Sequence, residues 1–364
     1  MSEDDAVIHF WQNIIDQALL KKASDIHIEP ESGISHIRLR VDGYLTHLVS
    51  SPAQWHERIS SRIKILARLD ISEKRLPQDG QMIVNSHKNE AVDCRVSTLP
   101  TLHGEKIVCR LLHREEENLR LDRLGLQDDQ LIQLESALNQ SQGFILVTGP
   151  TGSGKTQTLY TCLKYLLDGS KNISSIEDPI EIQLKGINQV QVSEKSGLRF
   201  DVALRALMRQ DPDVIMLGEI RDSETAKIAF QAAQTGHLVL ATLHANDAPS
   251  ALWRLKQLDI ASSDLSNDLL CITAQRLVRL ICPQCGGTSK PCIQCGGTGF
   301  KGRTAVHQIM TITQSIRSLI DLDASLSEIN KQCKEENMHS LKESAQLLLN
   351  RGITTPQEIQ RHIS

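Results

Sequence analysis

Aromatic residues are scarce in this chain. Three tryptophans, three tyrosines and five phenylalanines make up 3% of its 364 residues. Aliphatic side chains must therefore fill most of the core. The basic stripe with interleaved aromatics on which single-stranded nucleic acid stacks is also missing. Excess charge is lacking too. Forty Lys and Arg stand against 44 Asp and Glu, a net charge of −4 with both signs mixed throughout. No global positive field draws the chain to a polyanion, and there is no acidic tail. No apolar run approaches the ~18 residues needed to cross a bilayer. The first residues, MSEDDAVIHFWQ, are acidic and lack the basic-then-apolar order of a signal peptide. A cytoplasmic protein is expected. Five of the nine cysteines, Cys94, Cys109, Cys162, Cys271 and Cys333, are scattered, as buried reduced thiols are in a cytosolic chain.

What is present is a change of periodicity part-way along a length that suits two domains better than one. Residues 7–23 carry Val7, Ile8, Trp11, Ile14, Ile15, Ala18 and Leu19 at helical spacing. SDIHIEP and SHIRLRVDGYL alternate as half-buried strands do, with Asp42-Gly43 marking a turn. A second helix is expected over 54–70, and further strands at AVDCRVSTLP and EKIVCRLLH. This reads as a small α+β domain over 1–113, with the charged HREEENLR opening a linker over 114–122. From residue 143, strands alternate with helices, which implies a parallel sheet in an α/β domain spanning 123–364. GFILVTG, NISSIED, DVIMLGE and HLVLATLHA are the strand candidates. Helices are expected from Lys155 to Leu167 and over DSETAKIAFQAAQTG, the latter between an Asp222 N-cap and a Gly236 stop. The last 60 residues read as mostly helical, with Thr355-Pro356-Gln357-Glu358 a helix start.

GPTGSGKT, residues 149–156, fits the phosphate-loop pattern and has the required context, after an apolar strand and opening a helix. Gly149, Gly152 and Gly154 let successive N–H groups turn toward an anion, and the helix N-terminus adds partial positive charge. Lys155 should reach the β- and γ-phosphates, and the Thr156 hydroxyl should ligate Mg²⁺. The expected nucleotide contacts are Gly149, Pro150, Thr151, Gly152, Ser153, Gly154, Lys155 and Thr156, with Thr158, Asp178 and His244 beside them. The bland alternative is a glycine-rich turn that binds nothing.

Hydrolysis also needs carboxylates. SSIEDPIE places Glu177 and Asp178 at a strand end, and DVIMLGEIRD places Glu219 at another, with Arg221 and Asp222 following. In open α/β sheets ligands gather at such ends, although acids there also cap helices or form surface ion pairs. TGHLVLATLHAND adds His237 and His244, either side of a strand; strand histidines are often structural. CPQCGGTSKPCIQC sets Cys282, Cys285, Cys292 and Cys295 as two C-x-x-C knuckles. Each can aim two thiolates at one tetrahedral Zn²⁺. Redox disulfides or free thiols are the alternatives. Four closed ligands would leave no open position for catalysis.

Together, GPTGSGKT, IEDPIE, LRALMRQDPDVIMLGEIRD, TGHLVLATLHAND, SDIHIEP, RLPQDGQ and RVSTLPTLHGEKIVCRLL resemble the secretion ATPase superfamily of type II secretion, type IV pilus and competence systems. The resemblance covers nearly the whole chain. It implies a RecA-like phosphate-loop ATPase domain preceded by a PAS-like α+β domain, with a zinc-knuckle insertion at 281–300 and a helical C-terminal part. It implies hexameric rings that hydrolyse ATP and act on an inner-membrane platform protein, so that the motor associates with the membrane only through partners. By that resemblance Glu177 is the expected catalytic base, and Glu219 is expected to hold Mg²⁺ through water. Arg95 and Arg110 would reach the γ-phosphate from the N-terminal domain; Arg205, Arg209 and Arg221 would act at interfaces or as relays. Arginines suit this because they stabilise charge developing in phosphoryl transfer. SDIHIEP begins at Ser24, so a short form without the family's extra N-terminal region is expected, as in competence ATPases. Retraction ATPases are short too, but lack the four cysteines. Two other functions compete: a RecA-like nucleic-acid-dependent ATPase, which DNA stimulation would reveal, and a nucleotide-binding scaffold without hydrolysis.

Overall fold

The computed structural model describes residues 3–86, 91–112, 119–288 and 292–363. The chain divides into two units, Met1–Glu115 and Glu116–Ser364. The expected domain end at His113 and linker residues 114–118 lie outside the described residues. Leu119 and Leu121, also assigned to the linker, are buried in the core of the second unit. Their apolar side chains have a hydrophobic face to join. Among the described residues no helix is long and apolar enough to cross a membrane.

The first unit runs α1 (Glu3–Leu20), β1 (Asp25–Glu31), β2 (Ile34–Val41), β3 (Tyr44–Pro52), α2 (Ala53–Leu66), β4 (Gln78–Asn85), β5 (Ala91–Thr101) and β6 (Gly104–Leu112). Its antiparallel sheet has the order β3-β2-β1-β6-β5-β4. Asp42 and Gly43 both take positive φ, 50° and 87°, in the two-residue turn that pairs Val41 with Tyr44; such turns match the twist of the strands they join. Alternation along each strand separates two faces. Ile26, Ile28, Ile37 and Leu39 bury against Trp11, Ile14, Ile59 and Ile63 of the helices. The opposite face is polar. There, register sets Arg40, Asp25, Arg110 and Arg95 in one row across β2, β1, β6 and β5. Asp25 accepts Arg110 Nε at 2.9 Å and has Arg40 Nε at 3.6 Å. The row carries three guanidiniums and one carboxylate, a local excess of positive charge.

The second unit runs α3 (Asp128–Leu138), β7 (Gly143–Thr148), α4 (Lys155–Leu166), β8 (Ile173–Glu177), β9 (Asn188–Gln191), α5 (Phe200–Leu207), β10 (Val214–Leu217), α6 (Ser223–Gln234) and β11 (Leu238–Leu243). There follow α7 (Ala248–Gln257), α8 (Ser262–Asp268), β12 (Leu269–Ile281), β13 (Phe300–Thr311), α9 (Gln314–Asp321), α10 (Leu326–Glu335), α11 (Leu341–Asn350) and α12 (Pro356–His362). The sheet order is β13-β12-β7-β11-β10-β8-β9. Its strands are parallel except β13, which returns antiparallel to β12. Both faces are covered, so β7, β10 and β11 are largely apolar. Ile145 and Val147 join Leu134, Leu159 and Leu163 on one face. Phe144 and Leu146 join α5, α6 and α7 on the other, where Phe144 stacks on Phe230 with centroids 4.4 Å apart.

Helix ends follow local chemistry. Asp222 accepts the Thr225 N–H at 2.7 Å, and α6 stops at Gly236 with φ of 103°. Thr355 caps α12 ahead of Pro356. The Glu358 side chain bonds Arg279 of β12 at 2.5 Å, fastening this last helix to the sheet. The helical expectation for the C-terminal part holds for α9 to α12. It omitted the β12–β13 hairpin, at whose end the four-cysteine segment sits. Gln275, Arg276 and Arg279 interrupt the apolar run of β12, and its partner strand follows only after the cysteines.

Candidate active site

The phosphate loop joins β7 to α4. Gly149 has φ of 148°, and a Cβ there would lie 2.6 Å from both the Gln275 carbonyl oxygen and Ser153 Oγ. Gly154, the residue before α4, has φ of 89°. No side chain caps the helix at that point. Its first N–H groups are thus left for an anion, and this donor set fits polyphosphate. Lys155 Nζ donates to the carbonyls of Gly149 at 2.9 Å and Pro150 at 3.1 Å. Burial lowers its pKa, with the Glu219 charge opposing that effect. Pro150, Thr151 and Gly152 are exposed at the loop's crest, and Thr156 is half-buried.

Thr158 differs from expectation. It is buried, and its hydroxyl donates to Gln275 Oε1 at 2.8 Å rather than facing the loop's outer side. Gln275 Nε2 in turn donates to the Ser153 carbonyl at 2.7 Å. One buried amide from β12 therefore ties the loop to its helix from below. Arg276 beside it donates to the Gln275 and Asn246 carbonyls, at 3.0 and 2.8 Å.

A polar cluster forms where β10 and β11 end. His244 Nε2 lies 3.1 Å from Glu219 Oε1, while its Nδ1 lies 3.2 Å from the Gly149 carbonyl oxygen. Both neighbours are acceptors, so making both bonds at once requires the imidazolium. Arg221 donates to Glu219 at 3.1 Å and reaches Asp178 at 3.4 Å. The phosphate loop, Glu219, His244, Arg221 and Asp178 are thus joined by direct contacts. Thr156 and Glu219 are oxygen donors of the kind Mg²⁺ accepts, the latter through water. His237 stands apart from this cluster, with its Nδ1 2.9 Å from the Ala232 carbonyl oxygen at the end of α6. Arg205 pairs with Asp201 and Glu224, at 3.3 and 2.8 Å, and Arg209 donates to the Arg205 carbonyl at 2.8 Å.

Glu177 is placed differently from Asp178. Its side chain is turned under α4 and is 2% exposed, whereas Asp178 is 43% exposed. Ser175 Oγ donates to Glu177 Oε1 at 2.6 Å and Gln189 Nε2 at 3.0 Å, while the Tyr160 hydroxyl donates to Oε2. These three partners of the carboxylate are all neutral. Tyr160, Ser175, Gln189 and Gln275 were not singled out from the sequence. Tyr160, Gln189 and Gln275 act through contacts distant in the chain, and Ser175 through the turn of its neighbour; only their polar character within apolar stretches was visible.

The four knuckle cysteines converge at the far end of the hairpin. Their sulfurs all lie within 4.8 Å of one another. Cys282 is 3.8 Å from Cys292, and Cys285 is 3.7 Å from Cys295. Four ligands at the Zn–S distance of about 2.3 Å make a tetrahedron with edges of about 3.8 Å. The spacing fits zinc and is too long for disulfides. Cys282 lies about 20 Å beyond Gln275 along an extended strand. Zinc analysis of the purified protein should give one metal per chain. Cys285→Ser with Cys292→Ser should abolish it, measured on protein prepared in the same way.

A profile of the family "Type II/IV secretion system protein" matches residues 1–361. The type II secretion system protein HxcR of Pseudomonas aeruginosa is 45% identical over 98% of this chain and 77% of its own length. The type IV pilus assembly ATPase PilB of the same organism is 42% identical over 99% of this chain and 68% of its own. Among solved structures, the Legionella pneumophila ATPase DotB superposes with a TM-score of 0.75 at 20% identity, over 97% of this chain and 94% of that one, a likeness of fold. The pilus retraction motor PilT with bound ADP gives 0.67 at 26% identity, over 96% of each chain. The chain belongs to the type II/IV secretion system protein family and is a RecA-like ATPase of that family.

Proposed function

We propose that the chain is the ATP-hydrolysing motor of a machine that assembles pilin-like subunits for type II secretion, a type IV pilus or DNA uptake. The observation that carries this is the contact chain from the phosphate loop through His244 to Glu219, Arg221 and Asp178, in a chain closely similar to secretion and pilus ATPases. Thr156 and, through water, Glu219 would hold Mg²⁺, which would offset the negative charge of the phosphates. Lys155 holds the same phosphates. Glu177 orients and deprotonates water, and Arg95 and Arg110 supply positive charge to the transferred phosphoryl group. The subunits form a hexamer in which nucleotide sites are completed by domain or subunit movement. The motor works on the cytoplasmic side and is held at the membrane by a platform protein. The zinc-held hairpin end is a contact for a partner or a neighbouring subunit.

The test is ATPase activity per mole across protein concentrations, with and without DNA, with mass read on the same samples. A rate that rises as rings assemble and ignores DNA is expected. Full activity in samples that remain monomeric would overturn completion between subunits. A rate driven by DNA and steeply lowered by salt would favour a nucleic-acid motor.

A further inference from the structure

We propose that Tyr160 is a positioning residue for hydrolysis, locking the Glu177 carboxylate to the helix that holds the phosphates; this rests on Glu177 being the base. Among the described residues, Tyr160 is the largest fully buried side chain. It stands on α4, whose N-terminus carries Lys155 and Thr156. A hydroxyl has one proton to give and two lone pairs to fill. Here the lone pairs face the Glu181 N–H at 3.1 Å and the Ile182 N–H at 3.4 Å. The proton goes to Glu177 Oε2. Burial, and the Glu177 charge beside it, push the Tyr160 pKa up, so the group remains a donor.

The other carboxylate oxygen is tied elsewhere. Gln189 Nε2, which donates to Glu177 Oε1 at 3.0 Å, also donates to the Ile182 carbonyl at 3.0 Å, and Gln189 Oε1 accepts the Leu184 N–H at 2.7 Å. Ser175 belongs to β8 itself. Among the described hydrogen bonds, the Tyr160 hydroxyl is therefore the link between this carboxylate and α4. A shift of α4 when phosphates settle at its N-terminus would be passed to Glu177 and to the 178–182 turn through one oxygen atom. A tyrosine present only to fill the core would need the ring, which phenylalanine supplies equally.

Tyr160→Phe, made in the full chain, removes that oxygen and keeps the ring. At saturating ATP and full assembly, kcat is expected to fall by about 10-fold or more, the scale of one hydrogen bond to a charged group. KM for ATP and the affinity for ADP should stay within about 2-fold, since the phosphate contacts are untouched. In a Glu177→Gln background the same change should cost nothing further, because the two residues act as one unit. A Tyr160→Phe enzyme with parental kcat, or one whose loss is the same in both backgrounds, overturns the proposal. The single Glu177→Gln variant separates the two ideas. If it keeps parental kcat, the base assignment has failed; if it is inactive while Tyr160→Phe is fully active, only the tyrosine's role has.

Discussion

Glu177→Gln should lower kcat by about 10²- to 10⁴-fold, the usual worth of a general base, while ATP still binds. Lys155, Thr156 and the uncapped end of α4 are unchanged by it, so the substrate retains its main contacts. The substitution also disturbs a saturated site. Three donors face the carboxylate: Tyr160, Ser175 and Gln189. A glutamine keeps an acceptor oxygen at one end of the group but puts an amide donor at the other, so at least one of the three must turn or go unpaired. Ser175 can rotate its hydroxyl. Tyr160 has less freedom, since its oxygen already accepts from Glu181. A stability loss of about 1–3 kcal/mol is therefore expected, seen as a lower Tm. The two effects are separable. A fall in Tm with unchanged kcat would make Glu177 a buried hub joining β8, α4 and β9. The base would then have to be sought at Asp178, 43% exposed, or Glu219, 25% exposed.

The contrast between Glu177 and Lys155 shows what a linear reading can reach. The phosphate loop is local: its glycines, lysine and threonine act through backbone conformation and a helix end within eight residues. The knuckle cysteines are similarly legible, because ligand spacing determines which sulfurs can meet. Acids at strand ends were found by position, but position did not say which way each side chain turns. Strand alternation sends Glu177 under α4, while Asp178 and Glu219 share Arg221. Tyr160 meets Glu177 across 17 residues, and Thr158 meets Gln275 across 117. Such contacts exist only once the sheet order is set. Strand β12 escaped notice for the same reason. Its polar residues serve the loop and α12, so its pattern reports those partners as well as its own burial.

Alanine at Arg95 or Arg110 should cut the ATPase rate by about 10³-fold or more, as removal of an arginine finger does. The two changes should differ in their structural cost. Arg110 neutralises Asp25, whose side chain is 6% exposed, at 2.9 Å. Its loss leaves Asp25 the neutral Ser24 hydroxyl at 2.8 Å and a longer charged contact with Arg40 at 3.6 Å, so Arg110→Ala should also lower the Tm of the first unit. Arg110→Lys would retain a charge but not the planar fork, and should recover stability more fully than activity. Mixing then asks where the arginines act. Lys155→Ala subunits keep their arginine row but not a working phosphate loop; an Arg95→Ala, Arg110→Ala double variant has the reverse. If the arginines serve the nucleotide of their own subunit, mixed rings remain inactive, because every subunit lacks one half of a site. If they serve a neighbour, mixing restores part of the rate wherever an intact row faces an intact loop. Single variants with parental rates would remove the row from catalysis, leaving Asp25, Arg40 and Arg110 as a device that holds three strands together.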